Sequence, residues 1–110
     1  MKILFKTIAT ISLLMLTNPA LASLKTYKTS IINHTFEPAT IEVPANQRFQ
    51  LIVKNEDETL EEFESHDLRK EKLVGGKKSI KMNIKALKPG KYTFFGEFHP
   101  KTAQGTIIAK

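Results

Sequence analysis

Lys88-Pro89-Gly90-Lys91-Tyr92-Thr93-Phe94-Phe95-Gly96-Glu97-Phe98-His99-Pro100 opens on a turn, continues as a strand and ends in a loop carrying an acid and an imidazole. Pro89-Gly90 breaks any preceding element. Tyr92 and Phe94 then share one face while Thr93 and Phe95 take the other, the period of two that defines a half-buried strand. The same period recurs upstream. Ile80, Met82 and Ile84 sit between Ser79, Lys81, Asn83 and Lys85, and Met82 reads as core. Phe49, Leu51 and Val53 alternate with Gln50, Ile52 and Lys54; Ile41 and Val43 with Thr40 and Glu42; Thr29, Ile31 and Asn33 with Ser30, Ile32 and His34. Thr106 to Ala109 closes the chain. Turn residues bound each run at Glu37-Pro38, Pro44-Ala45-Asn46, Asn55-Glu56-Asp57 and Gly75-Gly76. Seven or eight short strands without a helical stripe predict an all-β fold, an antiparallel β-sandwich.

The 110 residues are 41% hydrophobic and 25% charged, which allows one packed domain and excludes a disordered or fibrous chain. Met1 to Ala22 reads as a secretory signal: Lys2 and Lys6 precede an apolar stretch from Thr7 to Leu16, and Ala20-Leu21-Ala22 offers a cleavage site. That stretch of about ten residues falls well short of the ~20 needed to span a bilayer, so no membrane insertion is expected after cleavage. The expected domains are thus 1–22, the signal, and 23–110, the folded unit, with a periplasmic location. Losing Lys2 and Lys6 takes the formal charge from +6 to +4. With no Cys, the exported domain must hold by packing and backbone hydrogen bonds. No basic helix, aromatic RNA-binding motif or zinc-finger spacing accompanies the positive charge, so nucleic acid is not an expected partner.

Two segments offer chemistry. In Leu60-Glu61-Glu62-Phe63-Glu64-Ser65-His66, an inward Phe63 puts Glu62 and Glu64 together on the opposite face. Close carboxylates repel unless a cation lies between them, so the strand is either a cation site or a solvated acidic surface. The loop after Phe95 adds Glu97 and His99, and imidazole is among the commonest metal ligands. His34 is a lone imidazole near the end of the first strand. Whether it or Met82 joins a site is left open by the sequence.

Phe36-Glu37-Pro38-Ala39-Thr40-Ile41-Glu42-Val43 and Phe49-Gln50-Leu51-Ile52-Val53-Lys54-Asn55 resemble the first half of a cupredoxin. Leu87 to Pro100 and Gly105-Thr106-Ile107-Ile108-Ala109 resemble its last two strands and metal loop. The resemblance covers nearly all of Thr26 to Lys110 and implies a Greek-key sandwich. It sets the family's first His ligand at Glu62, its Cys at Gly96, its second His at His99 and its axial Met near Ala103 or Gln104. Without the thiolate, a blue-copper electron carrier is excluded on chemistry. Glu-Phe-Glu-Ser followed by Gly-Glu-Phe-His-Pro resembles the cupredoxin-like domains of bacterial periplasmic iron-uptake systems, the EfeO cupredoxin-like domain among them.

The resemblance implies a periplasmic protein that handles ferrous iron or copper and passes the ion to a membrane iron permease or another uptake component. Carboxylate plus imidazole suits iron, Cu(II) or Zn(II). The expected metal residues are Glu62 and His99, then Glu97, then Glu64 and His66. A homodimer sharing one site is compatible with this reading. Two others compete: a ferroxidase, for which the sequence offers no second redox centre, and a metal-free interaction module on the same scaffold.

Overall fold

The computed structural model describes residues 24–110; the segment read as a signal, Met1 to Ala22, lies outside the described residues. Nine strands form two sheets among the described residues: β1 (Lys25–Ile32), β2 (Thr35–Glu37), β3 (Thr40–Val43), β4 (Phe49–Asn55), β5 (Glu61–Ser65), β6 (Lys70–Val74), β7 (Ser79–Ile84), β8 (Gly90–Gly96) and β9 (Gln104–Ala109). One sheet has the order β2-β1-β4-β7, the other β3-β9-β8-β5-β6. The sandwich is as expected, with two refinements. There are nine strands rather than seven or eight, and the pairs β1–β4 and β3–β9 run parallel while the other ladders are antiparallel.

The parallel pairs follow from how the chain changes sheets. β1 and β2 form a hairpin, and the chain then crosses at Glu37-Pro38 to place β3 beside β9 in the opposite sheet. Thr29, buried on β1, donates its hydroxyl to the Pro38 carbonyl at 2.8 Å, and Thr106 N–H reaches the Ala39 carbonyl at 2.8 Å. Both bonds pin the crossover, and β4 can then return to the first sheet alongside β1.

Alternation decides what is buried. Phe49, Leu51, Val53 and Asn55 of β4 point inward, and Gln50, Ile52 and Lys54 are half-buried on the outer side. Phe36, Phe63 and Phe94 meet between the sheets: Phe94 stacks on Phe63 at 5.1 Å between ring centroids, and Phe36 sets its edge against Phe94 at 4.9 Å. Burying such a side chain contributes about 1.5–3 kcal/mol. Met82 is buried among these residues as expected. Strand β6, by contrast, is a charged edge with only Val74 buried, a pattern that discourages pairing with another chain.

The registers define two poles. Phe49 pairs with Ile84 at one end of the β4–β7 ladder, whereas Asn55 lies at the other. Gly96, Glu61 and the Asn33-His34 turn share the Asn55 pole, and Gly90, Leu87 and the β5–β6 turn share the Phe49 pole.

Candidate metal centre

The Asn55 pole is assembled from three loops. Between β1 and β2 only Asn33 and His34 intervene, with φ of 51° and 61°. Positive φ at both central residues is the type I′ hairpin geometry that matches strand twist. Asp57, from the β4–β5 loop, accepts the Asn33 N–H on Oδ1 at 2.8 Å and the His34 N–H on Oδ2 at 3.0 Å. Burial pushes the Asp57 carboxyl up, but the two N–H donors and the nearby His34 and His99 rings outweigh it and hold the group below its ordinary value. Asp57 is itself fixed by buried Asn55, whose Oδ1 accepts the Asp57 N–H at 3.0 Å and whose Nδ2 donates to the Thr59 and Val74 carbonyls.

Glu61 opens β5 and points inward, on the same face as Phe63 and Ser65. Its side chain is 2% exposed. Oε1 accepts the backbone N–H of Phe98 at 2.8 Å and of Glu62 at 2.9 Å, and Oε2 lies 2.8 Å from His99 Nδ1. The loop after β8 brings His99 there: His99 N–H donates to the Gly96 carbonyl, and the His99 carbonyl accepts from Ala103 N–H at 2.8 Å. His34 stacks on His99 with ring centroids 3.6 Å apart and planes 13° from parallel. Thr102 ties the hairpin to this loop, its hydroxyl donating to the His34 carbonyl at 2.6 Å. One ligand atom from each of His34, Glu61 and His99 lies within 4.8 Å of the others.

The expected residues divide between two places. His99 is at the pole, as expected. Glu62 does not meet it: Glu62 projects from the outer face of β5, where its carboxylate gathers with those of Glu64 and Glu71 within 4.8 Å. Phe63 does face the core with Glu62 and Glu64 opposite, but that parity puts Glu61 inside. A slip of one residue exchanges the faces of a strand. Glu64 pairs with His66 at 3.2 Å, and His66 is 78% exposed with its ring edge-on to Phe95. Glu97 is exposed and its N–H donates to the Glu62 carbonyl. Partial desolvation, then the hydrogen bond and charge of Glu71 and the charges of Glu64 and Glu97, push the Glu62 carboxyl above its ordinary value. His34, Glu61 and Asp57 are the residues that sequence reasoning did not bring to the centre. The inward parity of Phe63 was the signal for Glu61, whereas nothing local marks the contact of His34 with His99, 65 positions away along the chain.

The space around Gly96 shows what this pole accepts. A Cβ there would lie 2.8 Å from the Glu61 carboxylate carbon, from Glu61 Oε2 and from the Ala103 Cβ. The buried carboxylate thus fills the room beside Gly96, and Ala103, fully buried, offers only a methyl group. A thiolate or thioether metal site does not fit here. A site of imidazole nitrogen and carboxylate oxygen does, for a borderline or hard divalent ion.

These features define a two-sheet β-sandwich with imidazole and carboxylate groups converging at one pole. The model for the cupredoxin-like domain matches residues 6–109, and the chain belongs to that family. An uncharacterized protein of Rickettsia prowazekii (strain Madrid E) is 52% identical over 81 residues, 74% of this chain; the match spans 65% of that relative's length. Among solved structures, auracyanin A, a "blue" copper protein from Chloroflexus aurantiacus, superposes with a TM-score of 0.67 at 13% identity, over 77% of this chain and 98% of that one. Reduced auracyanin from Roseiflexus castenholzii gives 0.65 at 14% identity, over 81% and 99%. These likenesses establish the shared fold.

Proposed function

We propose that the chain is an exported metal-binding domain that holds a divalent iron or copper ion at His34, Glu61 and His99, and that it delivers the ion to a membrane iron permease or another uptake component, as its EfeO-type sequence features imply. The observation that carries this reading is the convergence of three ligand atoms, from three separate segments, within 4.8 Å. Glu61 and Asp57 supply negative charge beside two imidazoles, a donor set suited to iron, Cu(II) or Zn(II). The carboxylates of Glu62, Glu64 and Glu71, gathered on the outer face of the β5–β6 pair, raise the local cation concentration beside the domain. Nearly parallel rings 3.6 Å apart do not aim their in-plane lone pairs at one point, so binding requires one ring to turn. His34, 41% exposed on a two-residue turn and held on its ring by a 3.4 Å contact with Asp57, is the ring that turns, and the ion takes the place of the proton between Glu61 Oε2 and His99 Nδ1, which lie 2.8 Å apart.

Titration calorimetry with Fe(II), Cu(II) and Zn(II) tests the site. One ion per chain is expected, and Glu61→Gln and His99→Ala should each weaken it about tenfold or more, about 1.4 kcal/mol. Glu62→Ala should change it less than threefold. Unchanged affinity in the first two variants, or a Glu62→Ala effect equal to theirs, would remove the assignment. Delivery and location are tested in cells, by fractionation and by iron uptake after deletion.

One observation favours a second reading. Every buried side-chain polar atom among the described residues has a hydrogen-bond partner. The Glu61–His99 pair also works as a self-satisfied strut, leaving the domain a metal-free interaction module. No binding of any of the three ions, with His99→Ala still lowering stability, is the outcome that selects this reading.

A further inference from the structure

The Phe49 pole, away from the candidate metal centre, carries a cleft of about 720 Å³ between the β5–β6 turn and the end of β7. Leu68 and Leu87, both nearly buried, line its apolar part, and Arg69, Lys70, Lys85 and Lys88 surround it. None of these four cations has a carboxylate within 4.0 Å among the described residues. The acid in the cleft wall, Asp67, is already engaged: Oδ2 accepts the Thr93 N–H at 2.8 Å and the Thr93 hydroxyl at 3.2 Å. The frame is ordered on both sides. Ser65 Oγ accepts the Leu68 N–H at 3.0 Å, the Arg69 N–H reaches the His66 carbonyl, and Tyr92 donates its hydroxyl to the Lys88 carbonyl at 2.7 Å. Like charges gathered on a fixed frame repel one another, and an anion carrying two or more charges relieves that repulsion. A guanidinium beside ammonium groups matches the oxygens of a phosphate.

We propose that this cleft binds a phosphate group, either on a free phosphate compound or on an anionic lipid headgroup, through Arg69, Lys70, Lys85 and Lys88. The proposal is independent of the metal reading, because it uses the opposite pole and no residue of the candidate centre.

Two probes separate the sources, both with the full chain. Inorganic pyrophosphate is titrated by calorimetry, and vesicles of equimolar phosphatidylglycerol and phosphatidylcholine are tested by co-sedimentation against phosphatidylcholine alone. Binding of pyrophosphate alone identifies a free phosphate compound, binding of anionic vesicles alone a lipid headgroup, and binding of both the shared phosphate chemistry. In each case the Lys85→Ala, Lys88→Ala double variant should weaken binding about thirtyfold, about fivefold per lysine. The Lys28→Ala, Lys81→Ala double variant, equal in charge but on the outer face of the β1–β4–β7 sheet, should stay within threefold. Binding of neither probe, or equal losses in the two double variants, would overturn the proposal.

Discussion

Gly96→Ala tests the packing at the pole most directly. The added Cβ would approach the Glu61 carboxylate carbon, Glu61 Oε2 and Ala103 Cβ at 2.8 Å each, where ordinary contacts begin at 3.4 Å. Neither neighbour yields easily. Ala103 is fully buried, and Glu61 is fixed by two backbone N–H donors and by His99. Overpacking by one methyl group costs about 1–3 kcal/mol. Moving Glu61 away instead forfeits charge-assisted hydrogen bonds of about 1.5–3 kcal/mol each, so the chain takes the cheaper strain. Gly96 has no left-handed φ, and alanine restricts the unfolded chain, which returns about 0.4–1 kcal/mol. The net loss is about 1.3 kcal/mol, or about 5–10 °C in Tm for a domain of this size. Urea unfolding followed by far-ultraviolet circular dichroism measures it. Gly75→Ala is the control, because its Cβ meets only the flexible side chain of Lys78, at 3.2 Å. A Gly96→Ala variant within about 0.5 kcal/mol of the parent and of this control would refute the packing argument. In a Glu61→Ala background the Gly96→Ala penalty should shrink, a coupling that a double-mutant cycle reads.

Asn55→Ala should cost about 2–4 kcal/mol in the same unfolding experiment, since it strands the buried Val74 carbonyl and frees Asp57 and Thr59 from their anchor. Asp57→Asn should lower stability by about 1–2 kcal/mol at neutral pH, because an amide cannot accept both turn N–H groups. A carboxyl held below its ordinary value contributes stability above the unfolded pKa and loses it as pH falls through the folded one, so this difference should fade on acidification below about 3.8. Glu62 behaves in the opposite sense: its raised carboxyl favours the folded state at acid pH, and that contribution is lost as pH rises through the folded pKa. Glu62→Gln should therefore stabilise the protein near neutrality and match the parent in acid, as thermal melts across pH would record.

The strands with clean alternation were legible because one face of each is buried. β4 reads inward at Phe49, Leu51 and Val53, and β8 at Tyr92 and Phe94, in sequence as in structure. β6 was not legible, since Lys70, Glu71, Lys72 and Leu73 stand on an exposed edge where nothing enforces a pattern. Nor was β2, which has three residues, or the hairpin before it: Asn33-His34 lacks the glycine that usually announces a two-residue turn, and Asp57 supplies its stability from a distant loop. At the pole, the sequence named His99 and an acid of β5 but chose the neighbouring acid. Family spacing suggested Glu62, whereas the packing of Phe63 required Glu61.

Glu61 and Gly96 have to be understood together. A carboxylate shut away from water is costly unless donors surround it, and this one receives two backbone N–H groups and an imidazole. Two of the three, the Phe98 N–H and the His99 ring, come from the loop that follows Gly96, so the loop conformation and the buried acid define each other. The lack of a side chain at Gly96 leaves the room in which the carboxylate lies, and a residue with Cβ at this position would compete for it. A chain carrying a thiol there would therefore need a different residue at position 61, which makes the exchange of sulfur for oxygen a concerted change in two strands. The pole as it stands sets an exposed ring, His34, against one that is held, His99, with the carboxylates of Asp57 and Glu61 beside them.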